Sequence, residues 1–428
     1  MNDKDQHLDV FLDHSVFYYN GRTTTFQEGT QSKAAQNRYD KVTTTLKNGY
    51  LEKMYQKCIS GTLVISSLDS YFKDLLKELV NGVTSDAGRA LVGLAFLQIT
   101  IKSIVPEQSI RLHKGSNRKG SFSWTEGISM RTIDSNYNTP FLRDKELLKL
   151  NKDGVMMTRS LAENYPYSKL YKAEMRGAFD TWIKIVDTIE SNNIDCKDAL
   201  VYMISLLINK SKKFDELVDN ALQKVNTHKD YSFATVENLL IKFYTDTKYS
   251  ARAFEVVIHS FMQAYCENKY TDLELVAISQ MRSANKKHGN VGDIELKDGN
   301  RIVEAWDAKY GKNYLYDELG ELQDKLESNP GVTLAGFIVN DSLDLKSEII
   351  EKKEDVSIIT ETDIKLYTFK DWVTDKLELV PKNQREKFAK DWLVATVETF
   401  ARKRLTIAPI DEPCEGWLKD IIKLLESH

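Results

Sequence analysis

The sequence predicts a mixed α+β or α/β protein with a helix-rich N-terminal part and a small mixed sheet flanked by helices in its C-terminal part. Helical periodicity dominates the N-terminal half. Two runs of alternating apolar residues within 291–312 flank Asp298-Gly299-Asn300 and predict a β-hairpin. A helix over 315–327 and a buried apolar strand over 332–339 follow it.

Length and composition set the frame for these elements. The chain has 428 residues, of which 42% are hydrophobic, which is enough for two or three domains. We place a helical domain at 1–235, with a distinct region at about 110–170, and a second domain at 236–428. The net charge of −4 argues against a protein that coats nucleic acid indiscriminately, but a local binding cleft remains compatible with it.

Nothing in the sequence predicts export or membrane insertion. The sequence has no apolar run of about 20 residues and no basic segment followed by an apolar one at its start, so we expect neither a transmembrane helix nor a signal peptide. The cysteines are scattered, without metal-ligand spacing or a disulfide framework: Cys58, Cys196, Cys266 and Cys414. Free thiols in a reducing cytoplasm are the simplest interpretation.

The N-terminal elements follow from periodicity. Residues 1–45 are polar and Thr-rich, and we expect an irregular or loosely packed start. Helices are predicted over 48–82, over 85–104 and within 171–226. The helix over 85–104 is apolar almost all round and is therefore expected to be buried, with Ser85 or Asp86 as its cap.

A basic, glycine-rich stretch begins after Pro106. Residues 111–176 contain 13 Lys or Arg against seven Asp or Glu, a net of +6, so the rest of the chain carries −10. Such a region suits contacts to phosphates and base edges, although a solvated surface loop is the alternative. The candidate DNA-binding residues are Arg111, Lys114, Arg118, Lys119, Trp124, Arg131, Asn138, Arg143 and Arg159.

The C-terminal elements alternate between helix and strand. We predict helices over 250–267, capped at Ser250, and over 272–287, and a short strand over 356–360. The segment 369–425 is predicted to be helical. Its expected core anchors are Trp372, Leu377, Leu379, Trp392, Val394, Val397, Phe400 and Trp417.

The hairpin carries the side chains that could bind a metal or take part in catalysis. Asp307 and Lys309 share one face of the second strand because side chains alternate along a strand. A three-residue loop over 298–300 would place Asp293 opposite Ala305 on that face, and this is the register we predict. A two-residue Asp-Gly loop would instead place Asp293 opposite Glu304, which would then be the second carboxylate.

Asp293 followed by Asp307-x-Lys309 resembles the motif of the PD-(D/E)xK nuclease superfamily, with Gly292 in place of its proline. The order of helix, hairpin, helix and buried strand is similar to that of a restriction-endonuclease core. The segments 90–92, 129–132, 138–141 and 292–294, with the C-terminal helices, resemble type II restriction endonucleases of the SacI type. The resemblance is patchy over roughly 85–425, and Glu304 competes with Asp307 for the second acid.

This resemblance implies a Mg²⁺-dependent deoxyribonuclease that cuts both DNA strands at a specific sequence. Asp293, Asp307 and the carbonyl of Ala308 would hold Mg²⁺, Lys309 would orient or help to deprotonate water, and Glu255 would act in an outer shell or on a second metal. The products would be a 5′-phosphate and a 3′-hydroxyl. A homodimer on a palindromic site and a companion DNA methyltransferase, without a stable complex, are also implied.

Two other functions fit the same residues. A sequence-specific DNA-binding regulator would use the hairpin structurally and would not cut DNA. A modification-dependent endonuclease would need a pocket for a flipped base, which loops can build. A metalloprotease is disfavoured because the sequence contains no His-Glu-x-x-His.

Overall fold

The chain divides between residues 213 and 214 into an N-terminal unit, Met1–Lys213, and a C-terminal unit, Phe214–His428. The computed structural model describes residues 6–60, 67–83, 88–113, 124–157, 161, 165–173, 175–278, 290–401 and 414–427. The division falls inside a helix of 32 residues, Cys196–Thr227. The sequence-based boundary at 235 lies later, because a continuous helix leaves no break in composition at 213. Over these residues, no helix is both long and apolar enough to cross a bilayer.

The N-terminal unit begins with an antiparallel sheet of three strands, β1 (His7–Val10), β2 (His14–Tyr19) and β3 (Arg22–Gln27). The prediction of an irregular start is therefore wrong. Asn20 and Gly21, with φ of 50° and 71°, form the tight turn between β2 and β3. An Asn-Gly pair favours this turn, and the three threonines of β3 are β-branched residues that suit a strand.

The other regular elements of the N-terminal unit are helices, and the helices predicted within 48–82, 85–104 and 171–226 are present. The helices are α1 (Lys33–Lys47), α2 (Tyr50–Ile59), α3 (Ser70–Asn81), α4 (Arg89–Ile104), α5 (Met130–Ile133), α6 (Thr139–Asp144), α7 (Phe179–Ser191) and α8 (Cys196–Thr227). α4 is buried almost all round, as its composition predicts. Its N-cap is Gly88, and the predicted caps Ser85 and Asp86 lie outside the described residues.

The C-terminal unit is built on a mixed sheet of five strands. Its elements are α9 (Phe233–Asp246), α10 (Ser250–Glu267), β4 (Glu274–Leu275), β5 (Ile294–Asp298), β6 (Arg301–Lys309), α11 (Tyr316–Glu327), β7 (Leu334–Val339), α12 (Ser347–Thr360), β8 (Asp363–Thr368), α13 (Phe369–Leu377), α14 (Arg385–Phe400) and α15 (Cys414–Ser427). The strands follow chain order across the sheet. β4, β5 and β6 are antiparallel, whereas β6, β7 and β8 are parallel.

The two faces of this sheet bury different helices. Trp306 and Ile338 pack on the side of α9, α10 and the C-terminal helices, while Ala305 and Phe337 pack on the side of α11 and α12. This alternation follows from the two-residue period of a strand. The helices α11 and α12 each connect two parallel strands, which need such a crossover.

Three predictions for this unit are corrected by the structure. Residues 274–275 form an edge strand on β5 rather than the start of a helix over 272–287, and residues 279–287 of that predicted helix lie outside the described residues. The predicted strand over 356–360 is the end of α12, and the strand β8 follows it. Short apolar runs fit both structures, and here tertiary pairing decides. Leu379 is 67% exposed, whereas the other predicted anchors are buried or half-buried.

Arg111, a predicted DNA contact, is an internal residue of the N-terminal unit. Its guanidinium lies 2.7 Å from Oδ1 of Asp187 on α7 and donates to the carbonyl of Tyr167 at 2.6 Å. It also lies 5.2 Å from the ring centre of Phe17 on β2. Arg111 therefore joins the small sheet to the helices, and its donors are used inside the fold.

We expect Arg111→Met to lower the free energy of unfolding by about 3–5 kcal/mol, because it leaves the buried carboxylate of Asp187 without its counter-charge. Urea unfolding measures the change. Lys77→Met, which breaks an exposed pair with Asp74, is the control and should cost no more than about 1 kcal/mol. A near-neutral effect of Arg111→Met would contradict the structural role.

Candidate active site

The antiparallel pairing of β5 with β6 sets the geometry of the predicted site. Ile294 is paired with Trp306, so one further residue in the same register places Asp293 opposite Asp307. The carboxyl ends of β6, β7 and β8 lie at this edge of the sheet, because parallel strands end on the same side. The two acids therefore meet where the hairpin joins the parallel part of the sheet.

The predicted three-residue loop, with Asp293 opposite Ala305, is wrong. Asp298 is paired with Arg301, so only Gly299 and Asn300 form the turn, and a β-bulge then adds one residue to β6. The observed register differs from the predicted one by two residues. A shift of two keeps each side chain on its face, which is why Asp293 and Asp307 still lie together.

Glu304, the alternative second acid, lies on the opposite face of β6. Its Oε1 is 2.7 Å from Nζ of Lys376 on α13 and accepts a hydrogen bond from the indole of Trp306 at 2.5 Å. Glu304 is therefore part of a buried ion pair on the other side of the sheet. The carboxylate next to Asp293 is Asp307.

The two aspartates form a hydrogen-bonded pair in which Asp307 is buried and Asp293 is half-buried. Burial, and then the negative charges of Asp307 and Glu255, raise the pKa of Asp293 well above its ordinary value. Burial also opposes ionisation of Asp307, but the hydrogen bond with Asp293 and the charges of Lys309 and Lys325 outweigh it and lower its pKa. The two shifts have opposite signs because adjacent carboxyl groups resist ionising together, so Asp293 binds a proton more readily than Asp307 does. The amide of Ala308 donates to Oδ2 of Asp293 at 3.1 Å.

Lys309 points into the same cluster and is held from two sides. Its Nζ lies 3.2 Å from Oδ2 of Asp307 and 2.5 Å from Oε2 of Glu318 on α11. Burial would lower the pKa of Lys309, but these two carboxylates outweigh it and raise the pKa. Lys309 is therefore a fixed cation at neutral pH. Phe337 on β7 supports it, with the ring centre 5.6 Å from Nζ.

Two further charged residues, Lys325 and Glu255, lie near the cluster of Asp293, Asp307 and Lys309. Only Glu255 was predicted from the sequence. Lys325, on α11, lies 3.7 Å from Oδ2 of Asp307 and was not predicted. Its only sequence signal is its position two helical turns after Glu318, on the same face of the helix after the hairpin. Glu255 was predicted, and the structure brings it into electrostatic range of Asp293 while binding it to Arg252 of the same helix.

Gly292, which stands where the resemblance expects proline, is required by a close backbone contact. A Cβ built on Gly292 would lie 2.6 Å from the carbonyl oxygen of Trp306 and 2.9 Å from its carbon. Real Cβ atoms do not approach backbone this closely, so any larger residue would displace the start of β5. Glycine therefore lets Asp293 reach Asp307.

The oxygen atoms at this edge suit a hard divalent cation. Within the described parts of the chain, no group of three His, Cys, Asp or Glu side chains is close enough to hold a metal ion. A metal would therefore use the carboxylates of Asp293 and Asp307 with a main-chain oxygen and water. The N–H and C=O of a strand residue point to the same side, so the carbonyl of Ala308 faces Asp293 as its amide does. Mg²⁺ accepts such a set and keeps several waters.

The predicted DNA-binding residues that the structure describes make contacts within the protein. Trp124 is buried against Phe26 and Asn138 is fully buried, so both join Arg111 in the interior. Arg131 donates to the carbonyl of Met156 at 3.0 Å, and Arg143 donates to the carbonyl of Leu150. The remaining four lie outside the described residues: Lys114, Arg118, Lys119 and Arg159.

Comparison with known proteins does not assign the chain to a family. No family model matches the chain, and no curated protein is significantly similar to it.

We expect Gly292→Ala to lower the free energy of unfolding by about 1–3 kcal/mol, because the added methyl group overlaps the backbone of Trp306. Gly320→Ala is the control: it lies in the interior of α11 with open space around it, and alanine should stabilise the helix by up to about 1 kcal/mol. Urea unfolding of both variants should give opposite signs. Equal effects would contradict the close contact.

We expect Asp293→Asn to stabilise the metal-free chain increasingly as pH rises from 5 to 9. An acid with a raised pKa in the folded state stabilises the fold at low pH, and this contribution is lost as pH rises through the higher pKa. The carboxamide cannot ionise, so it avoids that loss. Urea unfolding in EDTA measures the difference, with Asp298→Asn, at an exposed end of β5, as the control. A stability difference between the variant and the native chain that stays constant from pH 5 to pH 9 would argue against the raised pKa of Asp293.

Proposed function

We propose that the C-terminal unit is a Mg²⁺-dependent DNA endonuclease and that the whole chain acts as a type II restriction enzyme. The observation that carries the proposal is the hydrogen-bonded Asp293–Asp307 pair with Lys309 beside it. Two adjacent carboxyl groups, one of them with a raised pKa, can exchange a proton for a divalent cation. A lysine fixed next to them supplies the positive charge that a scissile phosphate needs.

The proposed metal ligands are Asp293, Asp307 and the carbonyl of Ala308. Bound Mg²⁺ would supply Lewis-acid polarisation of the phosphate and would lower the pKa of a coordinated water. The amide of Ala308 orients the carboxyl group of Asp293. Lys309 in turn draws Oδ2 of Asp307 to its ammonium group and so orients the second carboxylate.

The role proposed for Lys309 is electrostatic. The raised pKa keeps its ammonium group protonated at neutral pH, so it is a poor base but a good hydrogen-bond donor. It would orient the attacking water and offset the charge that builds on the phosphate oxygens. Water adds to phosphorus and the bond to the 3′ oxygen breaks, which gives a 5′-phosphate and a 3′-hydroxyl that takes up one of the water's protons.

The proposal also covers partners. Double-stranded DNA is the substrate, and a homodimer would present two such sites to the two strands of a palindromic sequence. A companion methyltransferase that protects host DNA belongs to the same proposal and rests on the resemblance. The basic region of 111–176 remains the proposed DNA contact, now without Arg111, Trp124 and Asn138.

The native chain should cut unmethylated phage DNA into discrete bands with Mg²⁺ and should not cut it with EDTA. Lys309→Ala should lower the rate by about 10²–10³-fold, the usual loss when one group that stabilises developing charge is removed. Lys312→Ala is the matched control, because Lys312 bonds to the same Glu318 but is 61% exposed. It should retain most of the activity. Gel electrophoresis of timed digests measures all three.

Binding of specific DNA without cleavage, on both plain and methylated substrates, would replace this proposal with a non-catalytic regulator. Cleavage of methylated DNA alone would replace restriction of plain DNA with a modification-dependent endonuclease. Equal loss of activity in Lys312→Ala and Lys309→Ala would contradict the role of Lys309 beside the aspartate pair.

A further inference from the structure

The side of α11 that faces the sheet carries a second lysine next to the aspartate pair. Nζ of Lys325 lies 3.7 Å from Oδ2 of Asp307 and donates to the carbonyl of Val291 at 3.2 Å. Only 22% of its side chain is exposed. The ammonium group therefore links Asp307 to the segment that leads into Asp293.

The helix fixes this lysine firmly. Glu318 and Lys325 are seven residues apart, which places them on the same face of α11. Leu319, Leu322 and Leu326 anchor that helix in the core beneath the sheet, each at most 3% exposed. The packing of α11 therefore fixes the backbone of Lys325 next to the sheet.

One oxygen of Asp307 faces two protein cations. Oδ2 lies 3.2 Å from Nζ of Lys309 and 3.7 Å from Nζ of Lys325. In nuclease sites with two metal ions about 3.5–4 Å apart, cations lie on both sides of the reacting phosphate. In this protein the ammonium groups of Lys309 and Lys325 lie beside Oδ2 of Asp307. A second divalent ion at that position would be strongly repelled by their positive charges.

We infer that Lys325 takes the place of a second metal ion, so that the site binds one divalent cation per chain. The inference rests on the proposed function, because it concerns the metal that this function requires. Lys325 is a positioning residue in this scheme: it holds Asp307 and the Val291 carbonyl, and its charge excludes the second ion. If Lys325 only held the Val291 carbonyl, its replacement by glutamine would instead weaken the binding of Mn²⁺.

The test is titration of the full-length chain with Mn²⁺ in the absence of DNA, with free Mn²⁺ measured by electron paramagnetic resonance. The native chain should bind one Mn²⁺. Lys325→Glu should bind two, because the cation position then lies between two carboxylates. Lys325→Gln should still bind one Mn²⁺, about tenfold more tightly, since one repelling unit charge near the ligands is removed.

The controls and the opposing outcomes are distinct. Lys419→Met removes an exposed lysine paired with Glu415 on α15 and should leave the stoichiometry and affinity unchanged. Circular dichroism and thermal melting show whether each variant folds, and Lys325→Gln keeps the test decisive if Lys325→Glu does not. Weaker Mn²⁺ binding by folded Lys325→Gln would mean that the lysine only ties down Val291 and would overturn the inference.

Failure of the inference is separable from failure of the proposed function. Two Mn²⁺ per native chain, or a folded Lys325→Glu variant that still binds one, would overturn the role of Lys325 and leave the nuclease proposal in place. A native chain that binds no Mn²⁺ and cuts no DNA would overturn the proposed function and this inference together.

Discussion

Two carboxyl groups side by side, a buried one at Asp307 and a half-buried one at Asp293, are the constraint on which the site of the C-terminal unit depends. Like charges in the interior repel each other strongly and lose their hydration, so the pair can persist only with compensation. The Ala308 amide and two lysines supply it, and the raised pKa of Asp293 favours its protonated form. A metal ion bound there would replace the proton by a stronger compensating charge.

The topology of the sheet brings the compensating groups close to the two aspartates. The antiparallel hairpin places Asp293 beside the end of β6. The crossover helix α11 starts near the same end of the sheet and runs back across its face towards the start of β7. One helix therefore supplies Glu318 to hold Lys309 and Lys325 to reach Asp307. Gly292 permits the close approach of the two strands at this point. The cluster is a product of the mixed sheet, not of the motif alone.

The N-terminal unit shows how a basic sequence can be used internally. Arg111 pairs with Asp187, and Arg131 and Arg143 donate to loop carbonyls. These arginines hold irregular segments in which backbone acceptors have no ladder to join, which is a structural demand of a loop-rich region. Net charge over a segment therefore overstates the charge available to a nucleic acid.

The sequence by itself determined the mixed fold, the buried helix α4, the hairpin and the shared face of Asp307 and Lys309, because each depends on local periodicity or on the alternation of a strand. It misplaced β8 and missed the N-terminal sheet and β4, since short segments take their structure from their neighbours. Only the tertiary structure decided that Asp307 rather than Glu304 joins Asp293, because a β-bulge in the interior of β6 sets the register. It also brought in Lys325, which is 18 residues from Asp307 along the chain and meets it only because α11 packs back on the sheet.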